Sequence, residues 1–154
     1  MSTLTEAEID KLEGRALDQA IAETVFERNR LLARFVDDMS EPQYHWGYPI
    51  GHDVAPTYST DLVLAFQVAQ HMAERIFRGV RGDPGHLDDD ELNSLTLAQC
   101  SSLETDGAWM AAFQVFNPWP EDFEPEHVAG LRAVALARTA PLAICRAALK
   151  AVLL

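Results

Sequence analysis

The sequence predicts an α+β fold, in which a small antiparallel-type sheet lies between layers of helix within a single domain spanning residues 1–154. Residues 62–76 and 142–153 place apolar side chains at helical spacing. Between them, residues 94–116 contain apolar residues that alternate or run together, as they do in strands. A length of 154 residues suits one hydrophobic core and is short for two.

The first element is an amphipathic helix predicted over residues 5–26. Thr5 is its candidate N-cap, and acidic residues follow in the first turn. Its apolar stripe comprises Ile9, Leu12, Ala16, Leu17, Ala20, Ile21, Thr24 and Val25. Gly14 interrupts the stripe, at a cost of about 1 kcal/mol relative to alanine. Residues 32–39 either extend this helix or form a second one, and the sequence leaves both alternatives open.

Two loop insertions are predicted, at about 40–58 and 81–93. The first holds three prolines and several aromatic residues without either periodicity, and the second is acidic and rich in turn residues. The helix between them has Ser59 as its N-cap candidate and Asp61 in its first turn.

The strands are predicted in SLTLAQCSSL and, after a turn at ETDG, in AWMAAFQVF. The second strand is apolar on both faces, which indicates that both are covered, and the helices must supply that cover. The following GLRAVALA, residues 130–137, fits either a last strand or a short helix.

The closing helix is predicted from its cap at Thr139, with Pro141 in the first turn, where a missing N–H costs nothing. One stripe is formed by Leu142, Cys145, Leu149 and Val152. Arg146 and Lys150 are therefore expected on the solvent face.

The charge balance disfavours a nucleic-acid partner, because the formal net charge is −12. No apolar run approaches the roughly 20 residues of a membrane helix, and the N-terminus lacks the pattern of a secretion signal. We therefore expect a cytoplasmic protein without a membrane partner, with Cys100 and Cys145 reduced.

No catalytic motif stands out, so we predict that the protein is not an enzyme. The five histidines form no HxH or HExxH spacing, and GxSxG, GxGxxG and Walker sequences are absent. Cys100 and Cys145 occur in apolar patterns typical of inert packing. We expect no metal site and no cofactor.

Four segments occur in an order that resembles the phage ABA sandwich domain family of small phage and prophage proteins. They are GRALDQAIAETV, YSTDLVLAFQVAQHM, an aromatic strand beginning at Trp109, and TAPLAICRAALKAV. The resemblance covers roughly residues 12–26, 56–77 and 108–152, whereas 27–55 and 81–93 depart from it. It implies helices around a sheet and a phage or prophage accessory protein, located in the host cell cytoplasm.

By analogy with anti-defence sponges, which sequester nucleotide immune signals, we hypothesise that the protein binds a small anionic ligand. Such a site needs cations for phosphate and aromatic rings for a base, but no nucleophile. The ligand-binding candidates are Arg15, Tyr58, Asp61, Trp109 and Arg146, with Arg138 as a further phosphate ligand.

Each candidate also has a structural explanation. Arg15 could pair locally with Asp18 or Glu13, Arg146 could pair with Asp61, and Trp109 could belong to the core.

The alternative function is protein–protein interaction with a host or phage protein, or a structural accessory role, through the acidic surface and an aromatic loop. The interaction residues would be Tyr44, Trp46 and Tyr48. Homo-oligomerisation is compatible with either function.

Overall fold

The computed structural model describes residues 4–30, 41–46, 51–81, 92–100, 108–116 and 133–153. Helices and antiparallel sheets confirm the predicted α+β class. The helices are α1 (Glu6–Ile9), α2 (Gly14–Ala20), α3 (Leu62–Arg81) and α4 (Ala140–Leu153). The strands are β1 (Gln43–His45), β2 (His52–Val54), β3 (Leu92–Cys100), β4 (Ala108–Phe116) and β5 (Ala133–Ala137).

The predicted helix over residues 5–26 is divided at Gly14. Thr5 caps α1 as expected, in a capping box with Glu8 whose hydrogen bonds lower the pKa of the Glu8 carboxyl. α2 begins at Gly14 with a φ of 58°, a left-handed conformation that glycine adopts without strain. The chain then continues from α2 into a π-helical turn, Ile21–Val25.

The predicted loop at 40–58 contains an antiparallel hairpin, so the loop assignment was wrong for β1 and β2. Tyr44 pairs with Asp53 across the hairpin, and an isolated bridge joins Tyr44 to Arg30. The Tyr44 side chain is fully buried, and its hydroxyl donates a 2.9 Å hydrogen bond to Glu23 in the π-helical turn. The hairpin is thus anchored to the core by one aromatic side chain.

β3, β4 and β5 form an antiparallel sheet in that order, which resolves residues 133–137 as a strand. The predicted turn at ETDG lies outside the described residues. Leu97 pairs with Ala111, which pairs with Ala135, and these three side chains share the face that packs into the core. On the opposite face Thr96 and Leu136 are exposed. Among the described residues, this second face is therefore only partly covered, since Ala112 on the same face is 4% exposed.

α4 is the central helix of the fold. It packs against β4 and β5, and also contacts α1, α2, α3 and the π-helical turn. Both side chains predicted on its solvent face are buried, since Arg146 is 9% exposed and Lys150 is 4% exposed. That prediction was wrong because an alanine-rich helix surrounded by other elements has no solvent face. Lys150 satisfies its ammonium with Glu6, Asp10 and the Val134 carbonyl.

α3 confirms the helix predicted after residue 59, with a different cap. The Asp61 carboxylate accepts hydrogen bonds from the backbone N–H groups of Val63 (2.9 Å) and Leu64 (3.2 Å), so Asp61 is the cap and Ser59 is not. The buried side of α3 carries Ala65, Val68 and Met72, whereas Leu62, Val63 and Phe66 are exposed.

Candidate functional site

Arg15 belongs to a polar cluster that joins α2 to the residues preceding α3. Its guanidinium pairs with Asp18 at 3.2 Å and with Glu41. Asp18 is 1% exposed, and its second carboxylate oxygen accepts a 2.7 Å hydrogen bond from the Ser59 N–H. The local ion pair expected for Arg15 is therefore present, and it is part of a longer-range network.

Arg146 reaches the junction between α1 and α2. Its Nε donates a 3.0 Å hydrogen bond to the Leu12 carbonyl, so its partner is not Asp61. Within the described ranges, the Arg146 side chain makes no hydrogen bond besides this one. Leu12 precedes Arg15 by three residues, and the two arginines are thus both placed near the start of α2.

A cavity of about 360 Å³ opens beside this junction. Three separate segments line it: Glu13 and Gly14 at the start of α2, Ser59 and Thr60 before α3, and the beginning of α4, which contributes Arg138, Thr139, Pro141 and Leu142. The lining thus includes three residues with a hydroxyl group, one arginine and one glutamate. Two of the hydroxyl groups donate to backbone carbonyls, Ser59 to Gly14 at 3.3 Å and Thr60 to Thr57 at 3.4 Å. Such groups hold and orient a small polar ligand, and none of them is a nucleophile paired with a base.

Arg138 is the predicted phosphate ligand that lines the cavity. It forms a 3.1 Å ion pair with Glu13, in which both side chains are more than half exposed. Arg15, Tyr58 and Asp61 do not line the cavity, but each is adjacent in sequence to a residue that does. Arg146 lies one turn of α4 beyond Leu142 and does not line the cavity.

The predicted aromatic ligands for a base have structural partners instead. Tyr58 is buried and stacks on Phe26, with ring centroids 5.2 Å apart, and burial raises the pKa of its hydroxyl. Trp109 is half-buried and packs against the core. Among the described residues, the cavity lining contains no aromatic ring. The geometry therefore favours recognition of an anionic group over stacking of a base.

The predicted interaction residues are also packed where the structure describes them. Tyr44 is in the core, where burial raises its pKa to about 12. The Trp46 indole N–H donates to the Asp53 carbonyl at 3.2 Å, and the Arg28 guanidinium lies 5.0 Å from the ring centroid. Tyr48 lies outside the described residues.

Arg138 apart, sequence reasoning missed all the cavity-lining residues, which are Glu13, Gly14, Ser59, Thr60, Thr139, Pro141 and Leu142. A serine or threonine near the start of a helix is already explained by N-capping, so the sequence gives no reason to assign it to a cavity. That assignment becomes possible only when the structure shows that three segments of the chain lie together. Ser59 is not such a cap, because its backbone N–H donates to Asp18 and its hydroxyl donates to the Gly14 carbonyl, and the residue is part of the cavity lining.

The described residues do not support a cysteine nucleophile, a metal site or a membrane-spanning helix. Cys145 is fully buried, which raises the pKa of its thiol and opposes nucleophilic use. In the described part of the chain, no three histidine, cysteine or acidic side chains are grouped as metal ligands. Of the helices described, none has both the length and the apolar character required to cross a membrane.

Comparisons with protein-family models, with curated protein sequences and with solved structures gave no match to this chain. The site must therefore be interpreted from its own chemistry.

Proposed function

We propose that this protein binds a small anionic ligand, without catalysis, in the cavity between the start of α2, the residues preceding α3 and the start of α4. The observation that carries the proposal is that Arg138 and Thr139, just before a 14-residue helix, line the same cavity as Ser59 and Thr60 from the residues preceding α3. The Arg138 guanidinium stabilises negative charge directly. The Ser59 and Thr60 hydroxyl groups donate to the Gly14 and Thr57 carbonyls at 3.3 Å and 3.4 Å, and they must turn away from these carbonyls to donate to an anion.

The start of α4 adds a partial positive charge to the cavity. The first N–H groups of a helix lack intrahelical acceptors, and the aligned peptide dipoles favour an anion there. Thr139 is already engaged through its backbone, because its carbonyl accepts a 3.1 Å hydrogen bond from the Ala143 N–H.

Glu13 is the ion-pair partner of Arg138, and a bound anion would replace it. Its carboxylate pairs with Arg138, yet both side chains are largely exposed, at 73% for Arg138 and 53% for Glu13. Exposed ion pairs of this kind contribute about 0–1 kcal/mol. A ligand that makes charge-assisted hydrogen bonds to Arg138 can therefore displace Glu13 at little cost.

The ligand class to test first is the nucleotide immune signals, in line with a phage or prophage anti-defence role. A phosphate group matches the cation and hydroxyl groups of the cavity, and sequestration requires no reacting side chain. The described lining supplies contacts to phosphate only, so cyclic dinucleotides, cyclic trinucleotides and cyclic ADP-ribose isomers should be compared with inorganic pyrophosphate.

The experiment is a thermal-shift screen of the wild type and two variants against this panel. Arg138→Gln removes the cation that lines the cavity. Arg30→Gln is the matched control, because Arg30 is also an exposed arginine in an ion pair, with Glu23, and does not line the cavity. A ligand at 100 times its dissociation constant should stabilise the wild type by about 2.7 kcal/mol.

The proposal predicts a shift for wild type and Arg30→Gln, a shift reduced by at least half in Arg138→Gln, and recovery of the ligand intact after denaturation. Recovery of a converted compound would contradict the non-catalytic claim. Equal shifts in all three proteins would place the binding elsewhere, and no shift with any compound would contradict anion binding.

A further inference from the structure

The two charged residues in the described cavity lining have opposite signs. Arg138 supplies a guanidinium and Glu13 supplies a carboxylate, and their nearest atoms are 3.1 Å apart. Glu13 is also the N-cap residue of α2, yet its side chain makes no capping hydrogen bond. The charges of the lining therefore balance, although the chain as a whole has a net charge of −12.

The hydroxyl groups of Ser59 and Thr60 are prepared to accept hydrogen bonds from a ligand. A hydroxyl group has one hydrogen to donate and two lone pairs that accept. Ser59 donates its hydrogen to the Gly14 carbonyl, and Thr60 donates its hydrogen to the Thr57 carbonyl. These bonds use the hydrogens and leave the lone pairs, so a ligand group that donates hydrogen bonds fits both residues without breaking either bond.

The carboxylate of Glu13 opposes a ligand that carries negative charge alone. An anion at Arg138 lies close to this carboxylate, because the two side chains are in contact, and like charges at that distance repel each other. The anion must therefore move Glu13 into solvent. A ligand with a cationic group beside its anionic group replaces the repulsion by attraction, and Glu13 can then stay in the cavity.

We propose that the ligand of this cavity is a small zwitterion in which an ammonium group lies a few bonds from a phosphate group, a conclusion that rests on the proposed anion binding. The phosphate binds Arg138 at the start of α4. The ammonium group donates to the Glu13 carboxylate and to the Ser59 and Thr60 oxygens. Of a nucleotide, the lining contacts the phosphate alone, whereas a zwitterion uses both of its charges.

Isothermal titration calorimetry with phosphoethanolamine and propyl phosphate tests the zwitterion, because a methyl group replaces the ammonium group in the second compound. We expect wild type to bind phosphoethanolamine at least about fivefold more tightly. Glu13→Gln keeps the length of the side chain and removes its charge. This variant should bind propyl phosphate more tightly than wild type does, and it should bind phosphoethanolamine no more tightly than propyl phosphate.

Glu23→Gln is the matched control for the loss of one negative charge. Glu23 also pairs with an exposed arginine, Arg30, and it does not line the cavity. This variant should keep the wild-type preference for phosphoethanolamine. Equal affinities in wild type, a preference that persists in Glu13→Gln, or a preference that is lost in Glu23→Gln would overturn the zwitterionic ligand.

Arg138→Gln separates this outcome from a failure of anion binding itself. If the variant binds propyl phosphate more weakly than wild type does, anion binding in the cavity stands even where the preference for phosphoethanolamine is absent. If wild type binds neither compound, or binds both independently of Arg138, the proposed function and the zwitterionic ligand are both overturned.

Discussion

Asp18 provides the sharpest test of the packing around the candidate site. It is 1% exposed and accepts hydrogen bonds from the Ser59 N–H at 2.7 Å and from Arg15 at 3.2 Å. The substitution Asp18→Ala removes both acceptors at once. Ser59 is itself 3% exposed, so its N–H is left without a partner and without access to water.

The magnitude follows from these two losses. A buried donor left unsatisfied costs about 1–3 kcal/mol. The Arg15 side chain is 38% exposed, so its pair with Asp18 adds less than about 1 kcal/mol. We therefore expect Asp18→Ala to lower the free energy of unfolding by about 3 kcal/mol. At about 2–4 °C per kcal/mol for a chain of this size, the melting temperature should fall by about 6–12 °C.

Urea denaturation followed by circular dichroism measures this change. Asp18→Asn keeps an oxygen that can accept from the Ser59 N–H and should cost only about 1 kcal/mol. Ser59→Ala keeps the N–H and removes a 3.3 Å hydrogen bond from the hydroxyl to the Gly14 carbonyl, so it should cost less than about 1.5 kcal/mol. The reasoning is refuted if Asp18→Ala is within about 0.5 kcal/mol of wild type, the range of ordinary surface substitutions, or if Asp18→Asn costs as much as Asp18→Ala.

Two further predictions concern titratable side chains in the core. Burial raises the pKa of the Cys145 thiol, whereas Cys100 is partly exposed. A disulfide reagent at pH 8 should therefore label Cys100 in the folded protein and Cys145 only on unfolding. Equal labelling rates for the two cysteines in the folded protein would contradict this prediction. The folded state holds Tyr44 neutral to a pKa of about 12, against about 10 in the unfolded chain. Its contribution to stability is therefore present below pH 10 and lost as the pH rises through 12. Between pH 9 and pH 11.5, Tyr44→Phe should lose less unfolding free energy than wild type, measured by urea denaturation, and equal losses would contradict the assignment.

Elements with a strong local pattern could be predicted from the sequence. AWMAAFQVF forms β4 over the predicted residues because its apolar and aromatic side chains suit a buried strand. Pro141 and the preceding Thr139 located the start of α4 correctly within one residue, since proline is restricted to the first turn of a helix. Gly14 marked a real break, because the chain needs a positive φ at that position.

Features that depend on distant contacts could not be predicted in the same way. β1 and β2 are three residues each, and the hairpin is held by Tyr44 contacts to Glu23 and Arg30, which local patterns do not reveal. Lys150 pairs with Glu6, 144 residues away in sequence. Its burial did have a signal, because a helix with few polar residues on any side is typically enclosed.

Of the residues predicted to hold an anion, one arginine lines the cavity and the predicted aromatic residues do not. Arginine as the anion ligand was expected, but the sequence favoured Arg15 and Arg146, which the structure ties to Asp18 and to the Leu12 carbonyl. Arg138 lines the cavity because β5 ends at Ala137 and the chain turns there into α4. Only the topology of the sheet brings that turn to the start of α2.

The most direct test of anion binding in this cavity is an amide NMR titration of the ¹⁵N-labelled wild type with inorganic pyrophosphate. The account predicts saturable shifts concentrated at the lining residues that carry an amide proton, which are Glu13, Gly14, Ser59, Thr60, Arg138, Thr139 and Leu142. The same shifts should be strongly reduced in Arg138→Gln. Saturable shifts confined to other surfaces, or no saturable shift in the wild type, would contradict it.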